Sequence, residues 1–385
     1  MEQIIALCGI GAEKALSQEL KKLGFPGVEP GFGKVRFSSD PEGLYRALMG
    51  LRSADRVLLE IASFRADTFD ALFEGTEAAP WENFIPKNMG LRIAKVRTNR
   101  SVLGAETSIQ AVVHKAGATR LCRRQGLTRL PDYGKTAALR VYIEKNQVSL
   151  LLDLAGEPLF KRGYRSEGGL APLRETTAAA LLLLAGWRRK FPLYDPFCGS
   201  GTLAIEAALF AWDMAPGLGR SFALSDLLIG NRDLERKVRE NFLQKINFSP
   251  IIRIYGSDAD SRSVALAKAN AERAYELARG LPVSERGVRA GLPDFRTLSF
   301  DRAVAPAGEG LLITNPPYGK RLGDLKTAEQ TYQALRALAS GFPGWKAGII
   351  TDHPGFESFF GRKADSCREI TNGAIRSYFF QYNKV

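Results

Sequence analysis

Apolar positions in the first sixty residues recur with two different periods. Ile4 to Cys8 forms a short apolar run that reads as a strand, and Gly11 to Leu23 spaces its apolar residues as an amphipathic helix closed by Gly24. Lys34 to Phe37 reads as a second strand and Pro41 to Met49 as a second helix. Further on, Leu91 to Thr98 (LRIAKVRT) alternates apolar and basic residues, as a half-buried strand with one charged face does. Ser108 to Gly117 predicts a helix, and Arg140–Ile143 with Val148–Asp153 predicts a strand pair joined by a Lys-Asn turn. Glycine and charge then crowd Phe160 to Pro172 (FKRGYRSEGGLAP), the composition of a linker. From about residue 173 longer helices alternate with the apolar strands Phe191–Tyr194, Ile251–Gly256, Leu311–Thr314, Lys346–Thr351 and Arg376–Gln381. That alternation predicts a doubly wound, mostly parallel α/β sheet at the C-terminus behind a smaller N-terminal α+β region. The implied segments are residues 1–60, 61–158, a linker over 159–172, and 173–385.

Length and composition narrow the possibilities. A chain of 385 residues holds two to three domains, and 45% hydrophobic with 25% charged residues is the balance of a globular protein. Four dispersed cysteines argue against a disulfide scaffold or thiolate zinc site, and two histidines (His114 and His353) leave little for a metal cage or a histidine triad. No metal is expected. The N-terminus lacks a basic n-region and a long apolar core, and the longest apolar run, Ala178 to Trp187, is too short to span a bilayer. A cytoplasmic location without membrane contact is therefore expected; the oligomeric state stays open, a monomer being compatible.

Charge adds a partner. The net charge is +13. Between Lys87 and Lys145 thirteen basic residues face only Glu106, Asp132 and Glu144, so most of the excess lies there. Such a concentration favours a polyanion. Arg97, Arg100, Lys115, Arg120, Arg123, Arg124 and Arg129 are the candidate phosphate contacts, with TRLCRRQ the densest cluster.

Three motifs carry chemistry. Asp195 to Thr202 reads DPFCGSGT between a short strand and an apolar helix; a glycine-rich turn there lets a ligand approach the backbone, and its acid suits a ligand amino group. It lacks the GK[ST] of a phosphate-binding loop. Ile254 to Asp260 reads IYGSDAD, and an acid ending the second strand is where ribose hydroxyls are gripped in nucleotide-binding α/β folds; Asp258 is the first candidate, Asp260 a helix cap. Leu311 to Gly319 reads LLITNPPYG. Asn315 and the carbonyl of Pro316 can accept both hydrogens of an exocyclic amine, Pro317 stiffens the turn, and Tyr318 can stack on a flat ring. An arylamine is a poor nucleophile because its lone pair is delocalised. Two acceptors that pyramidalise it suit transfer of a methyl group to nitrogen.

Together DPFCGSGT, GSDAD and NPPYGKRL resemble the S-adenosylmethionine-dependent methyltransferases of exocyclic amino groups. The flanking PLRETTAAALLLLAGW, EAALFAWDMAPGLGR and NGAIRSYFFQY are similar to the THUMP-containing bacterial 23S rRNA guanine-N2 methyltransferases. The resemblance covers most of residues 160–385 and extends more weakly over 1–155. It implies a Rossmann-like methyltransferase domain preceded by a ferredoxin-like segment and a THUMP domain, with structured RNA as partner. It also implies S-adenosylmethionine as donor: Asp195, Gly199 and Gly201 along its methionine half, Phe197, Cys198 and Thr202 of the same turn among the cofactor-binding residues, Asp258 at the ribose, and Ala259 at the adenine face. Asp294 is preferred over Asp301 for the adenine amino group. Thr176 and Thr177 either approach the donor carboxylate or simply start a helix. Cys198 reads as a packing residue, since nitrogen methylation needs no covalent adduct. The alternatives are a tRNA guanine-N2 enzyme, an adenine-N6 enzyme, and an RNA-binding protein with a vestigial methyltransferase fold.

Overall fold

The computed structural model describes residues 2–165, 173–248, 251–279, 291–306, 308–317 and 325–385. The N-terminal half runs β1 (Glu2–Leu7), α1 (Glu13–Lys22), β2 (Glu29–Gly31), β3 (Lys34–Ser39), α2 (Pro41–Gly50), β4 (Arg56–Arg65), α3 (Phe69–Ala78), β5 (Gly90–Asn99), α4 (Glu106–Gln125), β6 (Thr136–Glu144) and β7 (Gln147–Asp153). Its seven strands make one sheet in the order β2-β3-β1-β4-β7-β6-β5. β4 is the hinge of that order. Arg56 to Leu59 pair with β1, and Leu58 to Arg65 pair with β7. The boundary expected at residue 60 therefore falls inside a strand that both segments share. The alternation rule misses β4 because Val57, Leu58 and Leu59 are all buried, Leu58 facing Ile5 and Leu151 on the second face of the sheet. Lys145 and Asn146 take φ of 52° and 65° between β6 and β7, the left-handed pair that a two-residue hairpin turn demands.

The C-terminal half runs α5 (Glu175–Leu184), β8 (Leu193–Asp195), α6 (Thr202–Ala211), α7 (Arg232–Leu243), β9 (Ile254–Asp258), α8 (Ser261–Arg279), β10 (Asp294–Thr297), β11 (Leu311–Thr314), α9 (Leu325–Ser340), β12 (Lys346–Thr351), α10 (Phe356–Phe360), β13 (Ser366–Asn372) and β14 (Ile375–Tyr382). The sheet order is β10-β9-β8-β11-β12-β14-β13. β8 to β12 are parallel, and β14 and β13 close the edge antiparallel. The order reverses between β8 and β11, so a crevice opens at their carboxyl ends, where doubly wound sheets take ligands. α5 and α6 are apolar nearly all round and almost wholly buried, which accounts for the run Ala178–Trp187. No helix among the described residues is long and apolar enough to cross a membrane.

The halves are not joined by a free tether. Leu159, Arg162 and Tyr164, inside the expected linker, are buried; residues 166–172 of it lie outside the described residues. Arg162 Nη2 donates to the Arg52 carbonyl of the N-terminal half, while Arg162 Nε sits 3.5 Å from Glu206 on α6. Ile10 and Thr371 exchange two hydrogen bonds, so the loop before α1 covers the exposed edge of β13. Only glycine fits at position 11, where φ is 88° and a Cβ would stand 2.0 Å from the Glu369 carbonyl. One apolar core, from Ile4 to Phe379, runs through both halves.

Candidate active site

The crevice is built from three strand ends. Asp195 ends β8 and is buried; its Oδ1 accepts from the Thr314 hydroxyl of β11 at 2.7 Å and from the Phe197 amide at 3.2 Å. Burial pushes its carboxyl up to about 7, against the pull of Thr314, and the nearby Asp258 charge adds to the rise. The turn then bends toward β9. The Cys198 amide donates to the Ser257 carbonyl at 2.9 Å and the Gly199 amide to Asp258 Oδ2 at 3.0 Å, while Asp258 Oδ1 accepts from the Asp260 amide. Gly201 caps α6 with φ of 84°, and a Cβ there would lie 2.9 Å from Phe295. At Gly199, φ is 49° and a Cβ would meet nothing within 4 Å, so the turn offers its backbone to open space. Phe197 packs on Phe300 with ring centroids 4.8 Å apart. Burial also drives the Cys198 thiol far upward, so it is a packing group.

Asn315 follows β11 at the same end of the sheet. Its Oδ1 is buried and has no hydrogen-bond partner among the described residues. Such an acceptor is costly unless a donor N–H fills it. Pro316 is buried and Pro317 half-buried beside it. Tyr318 lies outside the described residues.

One expectation is corrected. Asp294 opens β10 opposite Tyr255, at the amino end of the strand, and its carboxylate is held by Arg296 at 2.6 Å. The crevice lies at the other end, where Thr297 pairs with Asp258. There Asp301 lines a cleft of about 310 Å³ with Ala259, Thr297, Leu298, Ser299 and Arg302. Residue counting could not separate the two acids because strand polarity decides which faces the crevice. At the start of α5 the Thr176 hydroxyl donates to Asp55 of the N-terminal half, and Thr177 bonds Asn372. Thr202 Oγ1 accepts from Arg165 Nη2 at 2.6 Å. Thr314, Arg165 and Asn270 went unnoticed in the sequence. For Thr314 and Asn270 the signal was a polar residue on an otherwise apolar strand or helix stripe.

The basic region divides. Arg120 grips Glu82 with two hydrogen bonds, at 2.7 and 3.1 Å, Arg124 lies 3.4 Å from the same carboxylate, and Arg123 pairs with Glu77. The densest cluster is thus largely answered by acids just upstream of the region counted, and Arg129 pairs loosely with Asp132 at 3.8 Å. Arg97, Arg100 and Lys115 are exposed and form no ion pair among the described residues.

Residues 162–379, more than half of the chain, match the family described as RMKL-like, methyltransferase domain. The chain belongs to that methyltransferase family. Residues 3–58 match the RlmL ferredoxin-like domain. Among relatives, the protein named "Putative RNA methyltransferase YpsC" of Bacillus subtilis (strain 168) is 37% identical over 98% of this chain and 95% of its own. The ribosomal RNA large subunit methyltransferase K/L of Cellvibrio japonicus is 35% identical over 100% of this chain, which spans only 51% of that protein. The chain spans about half the length of the other K/L relatives as well. Among solved structures, SMU.472 in complex with S-adenosylhomocysteine superposes with a TM-score of 0.89 at 32% identity, covering 100% of this chain and 98% of that one.

Proposed function

We propose that the chain transfers a methyl group from S-adenosylmethionine to the exocyclic N2 of a guanine in structured RNA, 23S rRNA foremost. The observation that carries this reading is the unpartnered, buried Asn315 Oδ1, set directly before two prolines at the carboxyl end of β11. An amide oxygen there accepts one N–H of an arylamine, and the Pro316 carbonyl is the candidate for the other. Held so, the nitrogen turns its lone pair out of the ring plane. Its proton becomes acidic as the new bond forms, so no strong base is required.

The donor supplies an activated methyl on a sulfonium. The residues present suit it: an acid for its ammonium (Asp195), an open glycine backbone (Gly199), an acid for ribose hydroxyls (Asp258), and an aromatic wall (Phe197). Ala259 and Asp301 are the proposed adenine contacts, Asp301 now in place of Asp294. The naming of the K/L relatives and the match of residues 3–58 to the RlmL ferredoxin-like domain support the choice of ribosomal RNA. Residues 61–158 are proposed as the THUMP domain, with Arg97, Arg100 and Lys115 reaching phosphates. A base paired in a helix must be extruded to reach Asn315, and grip by the N-terminal half offsets that cost.

Incubation of the protein with labelled S-adenosylmethionine and 23S rRNA, tRNA or DNA, followed by nucleoside mass spectrometry, tests the reading. N2-methylguanosine in rRNA is expected; N6-methyladenine, or label in tRNA alone, would replace it with one of the alternatives. Asn315→Ala is expected to lower turnover by about 10²–10³-fold while S-adenosylhomocysteine still binds.

A further inference from the structure

The turn from Asp195 to Thr202 is held from behind by side chains that the chemistry of transfer does not itself call for. Asn270 on α8 is completely buried, and its Nδ2 donates to the Ser200 carbonyl at 2.9 Å. Its neighbours on the buried stripe of that helix are Val264, Ala267, Ala271 and Ala274. A buried amide in such a stripe is unfavourable unless its hydrogen bonds are made, and these two go to defined partners. Arg273 decides which way the amide faces. Its Nη2 donates to Asn270 Oδ1 at 2.5 Å, so the carbonyl oxygen must point to Arg273 and the nitrogen to Ser200. Arg273 is anchored in turn, its Nε donating to the Tyr164 carbonyl at 2.8 Å. On the other side of Gly201, Arg165 holds Thr202. The left-handed Gly201 is therefore clamped at both of its neighbours.

We propose that Asn270 is a positioning residue for the donor turn, with Arg273 fixing the orientation of its amide. The proposal rests on reading Asp195–Thr202 as the turn that takes the donor. Asn270 touches no reacting atom; it sets where the Ser200 carbonyl, and with it the Gly199 and Gly201 backbone, stands when the donor arrives.

Calorimetric titration of the full chain with S-adenosylhomocysteine tests this, with melting temperature measured alongside. Asn270→Asp keeps the size and still accepts from Arg273, but it sets a carboxylate oxygen against the Ser200 carbonyl. Its Kd is expected to rise about tenfold to a hundredfold, and that of Asn270→Ala about tenfold. In steady-state assays the loss should fall on KM for the donor rather than on kcat. Arg273→Lys keeps one N–H for the amide and should weaken binding only a few-fold, less than Arg273→Ala. Lys268→Ala, exposed on the same helix, should match the wild type. Folded Asn270→Asp with wild-type affinity overturns the proposal. Should both Asn270 variants fail to fold, wild-type affinity in Arg273→Ala overturns it equally. A wild-type chain that binds no S-adenosylhomocysteine overturns the donor reading itself, and the positioning role falls with it.

Discussion

At the level of single residues, Asp195 shows how burial and function pull against each other. Its ordinary value is 3.8 and the fold pushes it to about 7. A carboxyl raised in the folded state resists ionisation there, so its contribution to stability is whole below pH about 4 and is lost as pH climbs through about 7. Asp195→Asn, which cannot ionise, is expected to melt higher than the wild type at pH 8, by an amount on the order of a few kcal/mol, with the gap narrowing toward pH 5. On the proposed role of Asp195 at the donor ammonium, the same variant should lose donor binding at both pH values, because it has no carboxylate to offer. Wild-type affinity for S-adenosylhomocysteine should rise between pH 6 and pH 8, as ionisation of the site no longer has to be driven by the ligand. Thermal melts and calorimetry at the two ends of that range check both claims. Gly201 is the complementary case. Gly201→Ala combines a left-handed φ of 84° with a Cβ 2.9 Å from Phe295 and 3.0 Å from Ala267. A destabilisation of about 2–4 kcal/mol is expected by denaturant titration.

Among the elements, α4 carries the most instructive contrast. Its last turns (TRLCRRQ) extend a helix that the apolar pattern would end near Gly117. They do so because Arg120, Arg123 and Arg124, at helical spacing, meet Glu82 and Glu77 along one side before Gly126 stops the helix in the left-handed conformation. Gln110 and His114 on the opposite stretch of α4 reach the Ile93 and Leu91 carbonyls, so the helix also closes the free edge of β5. A dense run of arginine was thus part structure, part charge. The two roles separate experimentally. Arg120→Ala should lower the melting temperature and leave the salt dependence of RNA binding nearly unchanged. The triple variant Arg97→Ala, Arg100→Ala, Lys115→Ala should do the reverse, reducing the slope of log affinity against log salt by about 2–3. Filter binding across a salt series measures it.

For the whole molecule, the decisive feature is that the two halves share one interior. Arg162 reaches the Arg52 carbonyl on one side and Glu206 on the other, and Tyr164 donates to the same carboxylate at 3.1 Å. Arg52 itself donates to the Met214 carbonyl at 2.6 Å and lies over the Phe210 ring. The N-terminal half and α6 are therefore held in one frame, which suits the proposed reaction, in which a base must be presented at a fixed distance from a methyl group. Arg162→Met leaves Glu206 buried without its cation. A loss of about 3–5 kcal/mol is expected, seen as a shift of a single transition reported alike by both halves. Two separated transitions would show that the halves fold independently.

How much of this was open to reading follows from which interactions are local. The parallel α/β sheet, the glycine turn after Asp195, the acid at Asp258 and the Asn315-Pro316-Pro317 corner are written in contiguous residues, because the alternation of strand and helix, turn backbone and φ are local properties. The continuous N-terminal sheet was hidden in β4, whose double-sided burial erases the alternation that marks a strand. The cleft that Asp301 shares with Ala259, the bond of Thr176 to Asp55, the neutralisation of Arg120, and the clamp of Asn270 on Ser200 all join residues distant in the chain. No periodicity encodes such pairings. They come into being only when strands take their order and direction and burial strips water from the groups that meet, which is when a carboxyl shifts, an arginine finds its acid, and an amide must find its carbonyl.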